Sequence, residues 1–232
     1  MRIAIDGPCA AGKTTTAKEL ARRLHFAYID TGAMFRAVAL YCKRNNISED
    51  DVHAHMAEIT ANVGCDIIQD DKNSRFVMYV EKDAPAVDDT MLRTPDIAML
   101  ASTLSKQPCV RDFVMILENQ MRDTAGDIIM EGRDICSVVM PDADLKFFMT
   151  AELATRALRR QSDIYAKGDI TFIPFREVFD DVKRRDEQDT TRKVAPLVRT
   201  EDSVLIDNTN LTFNETVSIM ELLINSRMPQ CI

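Results

Sequence analysis

The chain has 232 residues, a length that fits one elaborated domain or at most two. Its 46% hydrophobic and 28% charged residues are typical of a globular protein and exclude a disordered or fibrous chain. A net charge of -8 disfavours a protein whose main partner is nucleic acid, because an acidic surface repels phosphates.

The first predicted elements are a buried strand, a glycine-bounded loop and a helix. Residues 2–6 form a short apolar run that suits a buried strand, and the loop follows it directly. Residues 13–24 then carry apolar side chains at helical spacing on one face, at Ala17, Leu20, Ala21 and Leu24. The chain therefore opens with the order strand, loop, helix.

Later apolar runs predict the rest of a parallel sheet. They lie at residues 26–29, 128–130, 145–149 and 204–206, with helical segments between them. Together with the first strand they make five core strands of a parallel α/β sheet. About 100 residues separate the second strand from the third, which is more than one crossover helix needs, so we expect an insertion there.

Three smaller elements can also be predicted. Residues 65–69 and 76–80 flank the turn-rich segment 70–74, a pattern typical of a hairpin. Helical patterns extend from residue 153 to about 167 and, after Pro174, from residue 175 to about 185.

The loop after the first strand matches the pattern G-x-x-x-x-G-K-[ST], with Gly7, Gly12, Lys13 and Thr14 at the fixed positions. Backbone N–H groups at the following helix start would bind phosphate oxygens. Lys13 would reach the β- and γ-phosphates of ATP, and the Thr14 hydroxyl would coordinate Mg²⁺. The predicted ATP-binding residues are Gly7, Pro8, Cys9, Ala10, Ala11, Gly12, Lys13, Thr14 and Thr15.

The phosphate loop alone does not decide the reaction, because GTPases, ATPase motors and small-molecule kinases share it. Arginine provides further information, since guanidinium groups bind polyphosphates and stabilise the charge of phosphoryl transfer. Arg133 stands out because Gly-Arg-Asp directly follows a predicted strand end. The clustered arginines are Arg36, Arg111, Arg133, Arg156, Arg159, Arg160, Arg184, Arg185 and Arg192.

Location and redox chemistry follow from what the sequence lacks. No run of 18 apolar residues occurs, and the first strand starts at Ile3, so we expect neither a membrane span nor a signal peptide.

Six cysteines occur without C-x-x-C or zinc-ligand spacing, which predicts reduced thiols and neither a zinc site nor a redox dithiol. Cys9 lies at a helix start, where a thiol pKa can fall, but we expect it to be structural. We expect a cytoplasmic monomer.

Several ordered segments resemble cytidylate kinases of the bacterial type, and the resemblance covers essentially the whole chain. They are the phosphate loop, residues 29–36, residues 101–102 with Arg111, residues 131–134, 140–143, 185–186 with 189–192, and 194–197. The resemblance implies a three-layer P-loop fold in a single kinase domain, 1–232. Within it, residues 33–105 would be the monophosphate-binding insertion and residues 152–172 a helical lid.

The same resemblance implies the reaction and its machinery. ATP, with Mg²⁺, would donate its γ-phosphoryl group to CMP, and to dCMP, by direct in-line transfer. Closure of the insertion and lid would exclude water as a competing acceptor. The implied catalytic residues are Lys13, Arg133, Arg185 and Arg192.

Substrate contacts are also carried over from the resemblance. Arg36 and Arg133 resemble a clamp on the phosphate of the monophosphate, and Thr31 lies where a hydroxyl contacts the same substrate. Asp189 resembles the ribose contact, with Arg185 and Arg192 closing around both substrates.

Cytosine would be bound by Ser102, Arg111 and Asp134. Its amino group is a donor that suits an acceptor such as Asp134, and its N3 and O2 atoms suit donors such as Arg111. Uracil presents the opposite pattern at two of these positions and would leave polar groups unpaired, so the set predicts a preference for CMP over UMP.

Three departures from the family pattern occur. Cys9-Ala10-Ala11 replaces a Ser-Gly-Ala type of filling, Thr31 stands where serine is common, and Cys136-Ser137 replaces Gly-Thr. Each keeps the essential groups, although Cys136 is expected to stiffen or shift the loop that carries Arg133.

Two alternatives remain at this point. Another P-loop kinase, acting on UMP, AMP or a metabolite hydroxyl, would keep Lys13 and Thr14 but reassign the cytosine set. A nucleotide-dependent switch would need a guanine-reading Asn-Lys-x-Asp segment, which the sequence lacks.

Overall fold

A computed structural model of the chain describes residues 1–69, 74–166 and 173–228. Its main sheet has five strands in the order β2-β5-β1-β6-β7. These strands are β1 (Arg2–Asp6), β2 (Ala27–Asp30), β5 (Ile128–Gly132), β6 (Leu145–Thr150) and β7 (Val204–Asp207), and a separate hairpin contains β3 (Gly64–Gln69) and β4 (Ser74–Tyr79). The five-stranded parallel α/β sheet predicted from the sequence is confirmed.

Helices connect the strands. They are α1 (Lys13–Leu24), α2 (Thr31–Arg44), α3 (Met56–Asn62), α4 (Asp89–Leu92), α5 (Pro95–Leu104), α6 (Pro108–Thr124), α7 (Leu153–Ala166), α8 (Phe175–Thr191) and α9 (Phe213–Asn225), and a turn of π-helix spans Ile135–Val139. The predicted helix at residues 13–24 is confirmed at both ends.

The chain forms two compact units. The first contains Met1–Leu24 and Ile129–Ile232, and the second contains His25–Ile128. The insertion predicted at residues 33–105 falls inside the second unit, and its bounds stay a prediction. The lid predicted at residues 152–172 begins with α7, and its last six residues lie outside the described ranges.

The core of the first unit is built on parallel strands, of which β1 and β6 are buried along most of their length. Ile3 pairs with Leu145 across β1 and β6, and Phe147 pairs with Val204 across β6 and β7. Ile3, Phe147 and Leu20 are fully buried. Helix α1 turns its apolar face inward and contacts α9, and α7 contacts α8.

Helix α8 is longer than predicted. The sequence pattern placed its end near residue 185, whereas the helix continues to Thr191. The extra residues have no apolar periodicity, although they include the good helix formers Glu187 and Gln188. The helix ends where Arg192 becomes extended, and the N–H of Leu197 then donates to the Asp189 carbonyl at 2.8 Å.

The second unit packs helices around α2. The Asp30 carboxylate accepts the Ala33 N–H and so caps the start of α2, while proline occupies the first position of α5 and of α6. Helix α2 contacts α5 and α6. The predicted hairpin is present with Gly64 opposite Tyr79, although its second strand starts two residues early, at Ser74, and its turn lies outside the described residues.

Two general expectations can be compared with the structure. Within the described residues, no helix combines the length and apolar character needed to cross a bilayer. The cysteines described there, Cys9, Cys42, Cys65, Cys109 and Cys136, are free thiols.

Candidate functional site

The phosphate loop has a backbone that few side chains can adopt. Gly7 has a φ of 153° and Gly12 a φ of 87°, and Ala10 also lies in the left-handed region at 57°. A Cβ added to Gly7 would meet the Met149 carbonyl oxygen at 2.0 Å, so any side chain there would displace backbone. The loop therefore runs directly against β6 before α1 begins.

Lys13 is the buried cation of this loop. Its Nζ donates to the Gly7 carbonyl at 2.8 Å and to the Pro8 carbonyl at 3.0 Å, and the residue is 5% exposed. Burial, together with the positive charge of Arg133, lowers the pKa of Lys13 to about 8. An anion at this position would stabilise the charged form.

Thr14 and Glu131 lie together beside the loop. The Thr14 hydroxyl donates to the Glu131 carboxylate at 2.6 Å, and Glu131 is buried at the end of β5. Glu131 was not among the predicted site residues, although an acidic residue directly after an apolar strand was a usable signal.

The chemistry of this pair fits Mg²⁺, a hard cation that takes oxygen ligands and keeps several waters. Among the residues described, no three His, Cys, Asp or Glu side chains are grouped to hold a metal. The residues present fit a metal that would be held by the Thr14 hydroxyl, by phosphate oxygens and by water, with Glu131 close enough to bond that water.

Asp6 supports the turn that carries the predicted arginine. Its two carboxylate oxygens accept the N–H groups of Ile135 at 2.9 Å and Cys136 at 2.7 Å. Burial outweighs the opposing effect of these two hydrogen bonds and raises the pKa of Asp6 to about 6. This pairing holds the first turn of the π-helix, immediately after Asp134.

Cys136 occupies a buried position below this turn. Its thiol donates to the Phe147 carbonyl at 3.6 Å, and burial raises the thiol pKa above its ordinary value, with Asp6 adding to the rise. The side chain that replaces glycine here is therefore a neutral packing group. Its backbone N–H remains available to Asp6.

Four predicted residues of the first unit form two ion pairs. Arg133 Nε donates to the Asp189 carboxylate at 2.6 Å, and Arg192 lies 3.1 Å from the Asp134 carboxylate. Burial disfavours the charge on Arg133, but Asp189 outweighs it and raises the arginine pKa. Arg192 Nε also donates to the Ala195 carbonyl at 2.5 Å. The structure thus brings α8 and the segment after it to the turn at the end of β5.

Arg185 has a different partner. Its Nε lies 3.1 Å from the carboxylate of Asp181, one turn earlier on α8. The predicted catalytic role of Arg185 therefore remains a prediction without a described contact to the other catalytic residues.

The second unit carries its own guanidinium cluster around Asp30. The same carboxylate oxygen accepts from Arg36 and from Arg93, each at 2.7 Å. Arg93 also donates to Asp89 at 2.7 Å. Burial lowers the pKa of Arg93, but Asp30 and Asp89 together raise it above its ordinary value. The sequence prediction named Arg36 and missed Arg93, because the two lie 57 positions apart.

Arg36 has unused donor capacity. Its buried Nε has no hydrogen-bond partner among the described residues. Gly32 makes room for the guanidinium group, because an added Cβ there would lie 2.8 Å from its Nη1 atom. Thr31 is buried at the first position of α2. The cluster is thus a pair of cations oriented by Asp30, with one donor that no described residue satisfies.

Two members of the predicted cytosine set lie near each other in this unit. Arg111 is 8% exposed, donates to the Ser105 carbonyl at 3.3 Å and stacks over Phe35 at 5.7 Å. The Ser105 hydroxyl in turn donates to the Ser102 carbonyl at 2.8 Å. Asp134, the third member, belongs to the first unit.

Comparison with known proteins identifies the family. The cytidylate kinase family model matches residues 3–226. A cytidylate kinase of Carboxydothermus hydrogenoformans is 39% identical over 94% of this chain and 94% of its own length. A cytidylate kinase of Geobacter sulfurreducens is 41% identical over 97% of this chain and 93% of its own.

Structural comparison bears on the fold alone. The crystal structure of an uncharacterized protein from Eubacterium ventriosum has a TM-score of 0.52 at 9% identity, covering 97% of this chain and 99% of that one. The sequence relatives decide the family, and they agree with the resemblance found in the motifs. The chain belongs to the cytidylate kinase family.

Proposed function

We propose that this chain transfers the γ-phosphoryl group of ATP to CMP, and to dCMP, giving ADP and CDP or dCDP. The observation that carries the proposal is that two groups of cationic donors of different construction occur, one at the phosphate loop of the first unit and one around Asp30 in the second, and we assign both to phosphates. A hydrolase or a switch has no need of the second site.

The donor nucleotide is assigned to the phosphate loop. Its glycines permit the tight backbone path, and the N–H groups of the first turn of α1, at the positive end of the helix dipole, favour anionic oxygens. Lys13 would exchange its bonds to the Gly7 and Pro8 carbonyls for bonds to phosphate oxygens. This exchange is favourable because a buried ammonium gains a full opposite charge.

Thr14 and Glu131 are the residues that we assign to Mg²⁺. The Thr14 hydroxyl would become a ligand, and Glu131 would accept hydrogen bonds from metal-bound water. When bound, the ion supplies positive charge to the β- and γ-phosphate oxygens.

The acceptor phosphate is assigned to Arg36 and Arg93. Their guanidinium groups are oriented by Asp30, and the Nε of Arg36 is a buried donor without a partner among the described residues. A phosphate would satisfy it with a charge-assisted hydrogen bond. Thr31 is our assigned hydroxyl contact.

Base selection is assigned to Ser102, Arg111 and Asp134, and ribose binding to Asp189. Arg111 is held by Ser105 and Phe35, so its side chain loses little conformational entropy on binding a base. Asp134 is 7% exposed and paired with Arg192, and its carboxylate oxygens are assigned as acceptors for the amino group of cytosine. UMP would place an oxygen against that carboxylate, which disfavours it.

Transfer is proposed to be direct. Arg133, Arg185 and Arg192 would stabilise the charge that develops on the transferred group, and no side chain needs to be phosphorylated on the way. A direct in-line displacement inverts the configuration at phosphorus. Stereochemical analysis of transfer from a chiral γ-thiophosphate analogue of ATP tests this point, and retention of configuration would contradict it.

A panel of acceptors tests the proposed function as a whole. Steady-state turnover with ATP and Mg²⁺ should give kcat/KM values highest for CMP, lower for dCMP and far lower for UMP and AMP. A higher kcat/KM for UMP or AMP than for CMP would overturn the assignment of the base site.

The monomeric state and cytoplasmic location remain predictions. Light scattering after size-exclusion chromatography tests the monomeric state.

A further inference from the structure

Arg156 and Asp186 together grip one residue of the phosphate loop. The Cys9 N–H donates to the Asp186 carboxylate at 3.1 Å, and Nη1 of Arg156 donates to the Cys9 carbonyl at 3.0 Å. The same Nη1 donates to the other carboxylate oxygen of Asp186 at 2.5 Å. Both backbone polar groups of Cys9 are therefore held by one ion pair.

This ion pair is well buried and fixed at its base. Arg156 is 6% exposed, and its Nε donates to the Ala151 carbonyl at 2.9 Å, at the end of β6. A buried guanidinium with carbonyl and carboxylate partners has one preferred geometry. Removing either partner leaves the other buried and uncompensated, so the two residues act as a unit.

The loop needs support at this point because its next residue is strained. Ala10 has a φ of 57°, a conformation that costs an alanine free energy relative to glycine. Such a conformation persists only when the surrounding contacts impose it. The bonds to Cys9 are immediately adjacent and come from outside the loop.

A separate contact holds the other side of the same turn. Asn208 donates to the Ala11 carbonyl at 2.9 Å and is itself bound by Arg159 through its side-chain and backbone oxygens, each at 2.8 Å. The loop is thus held at two points by residues of α7, α8 and the end of β7.

We propose that Arg156 and Asp186 are positioning residues, which set the shape of the phosphate loop through Cys9 before the nucleotide binds. They act through the backbone and do not touch the nucleotide. Because Asp186 lies on α8 between Arg185 and Asp189, the pair also ties the position of that helix to the loop. The inference rests on the proposed function only in assigning the loop to a nucleotide.

A double-mutant cycle tests the pair with MgADP alone, which requires neither CMP nor turnover. Arg156→Met and Asp186→Ala should each raise the Kd for ADP by about tenfold, and the double variant should lose no more than the worse single variant. If Arg156 bound the nucleotide directly, Arg156→Met would lose affinity for ADP while Asp186→Ala would bind ADP normally. This result would overturn the proposal. Glu187→Ala, which removes an exposed acid of the same helix, is the control.

Amide hydrogen exchange of residues 7–13 in the nucleotide-free protein distinguishes shaping of the loop from nucleotide contact. Exchange should be faster in both single variants and unchanged in Glu187→Ala. Asp186→Asn keeps an acceptor for the Cys9 N–H and should recover part of the protection, which also covers the case in which Asp186→Ala folds poorly. Loss of ADP affinity with unchanged exchange would contradict the positioning role.

Turnover adds a readout that separates this inference from the proposed function. In the variants the KM for ATP should rise while the KM for CMP stays within about twofold of the parent value. If the parent protein transfers nothing to CMP but the ADP cycle and the exchange results hold, the proposed function fails and the positioning pair stands.

Discussion

Raising the pH from about 7 to about 8.5 should turn the binding of ADP into a proton-consuming reaction. Lys13 is the reason, because burial lowers its pKa to about 8 while its Nζ donates to the uncharged Gly7 and Pro8 carbonyls. A bound β-phosphate supplies an opposite charge and raises the pKa again. The lysine must then take up any proton that it had lost.

The size of the effect follows from the pKa. A lysine with a pKa of about 8 is about one tenth neutral at pH 7 and about three quarters neutral at pH 8.5. Binding should therefore take up roughly 0.8 proton at the higher pH and roughly 0.1 at the lower. Above pH 8 the Kd for ADP should rise by up to about tenfold per pH unit.

Isothermal titration calorimetry in buffers of different ionisation enthalpy measures this proton number. Lys13→Met should remove the uptake, and Lys18→Met, which changes an exposed lysine of the same helix, should preserve it. A parent protein that takes up no proton at pH 8.5, or a Lys13→Met variant that takes up as many as the parent, would refute the reasoning.

Four substitutions test other parts of the account. Ala10→Gly removes the Cβ at a φ of 57° and should raise the Tm by about 2–4 °C in a thermal melt, whereas a lower Tm would mean that the loop is not strained there. Gly32→Ala should raise the KM for CMP and leave that for ATP unchanged, because the added Cβ lies 2.8 Å from the Arg36 guanidinium; equal changes in both would argue against a phosphate role. Arg133→Met should lower kcat by about a thousandfold with circular dichroism unchanged, and near-normal turnover in a coupled ADP assay would remove its assigned role. Asp134→Ala should reduce the ratio of kcat/KM for CMP over UMP, and an unchanged ratio would place cytosine recognition elsewhere.

The sheet and the first helix could be predicted because their signals are local. Apolar runs bounded by turn residues predict buried strands, and helical spacing predicts α1 to the residue. The predicted end of α8 was wrong because its last six residues are all polar, so no apolar period marked them. Apolar periodicity reports packing against a core, and a polar helix extension carries none of it.

The contacts that arrange the candidate site could not be predicted from spacing. Thr14 and Glu131 lie 117 positions apart, and Asp30 and Arg93 lie 63 apart, so each pair is a product of topology. The hydrogen bond from the Cys9 N–H to Asp186 could not be predicted for the same reason. Asp186 is 177 positions away, and it lies beyond the helix end that the sequence predicted. Residue types at strand ends indicated where chemistry would be, and the fold decided which side chains meet.

Phosphorus NMR of a reaction containing ATP, CMP and Mg²⁺ tests the central claim most directly, because it resolves ADP, CDP and inorganic phosphate in one sample. The account predicts equal amounts of ADP and CDP, with negligible inorganic phosphate whether or not CMP is present. Inorganic phosphate released at the same rate with and without CMP, with no CDP formed, would contradict it.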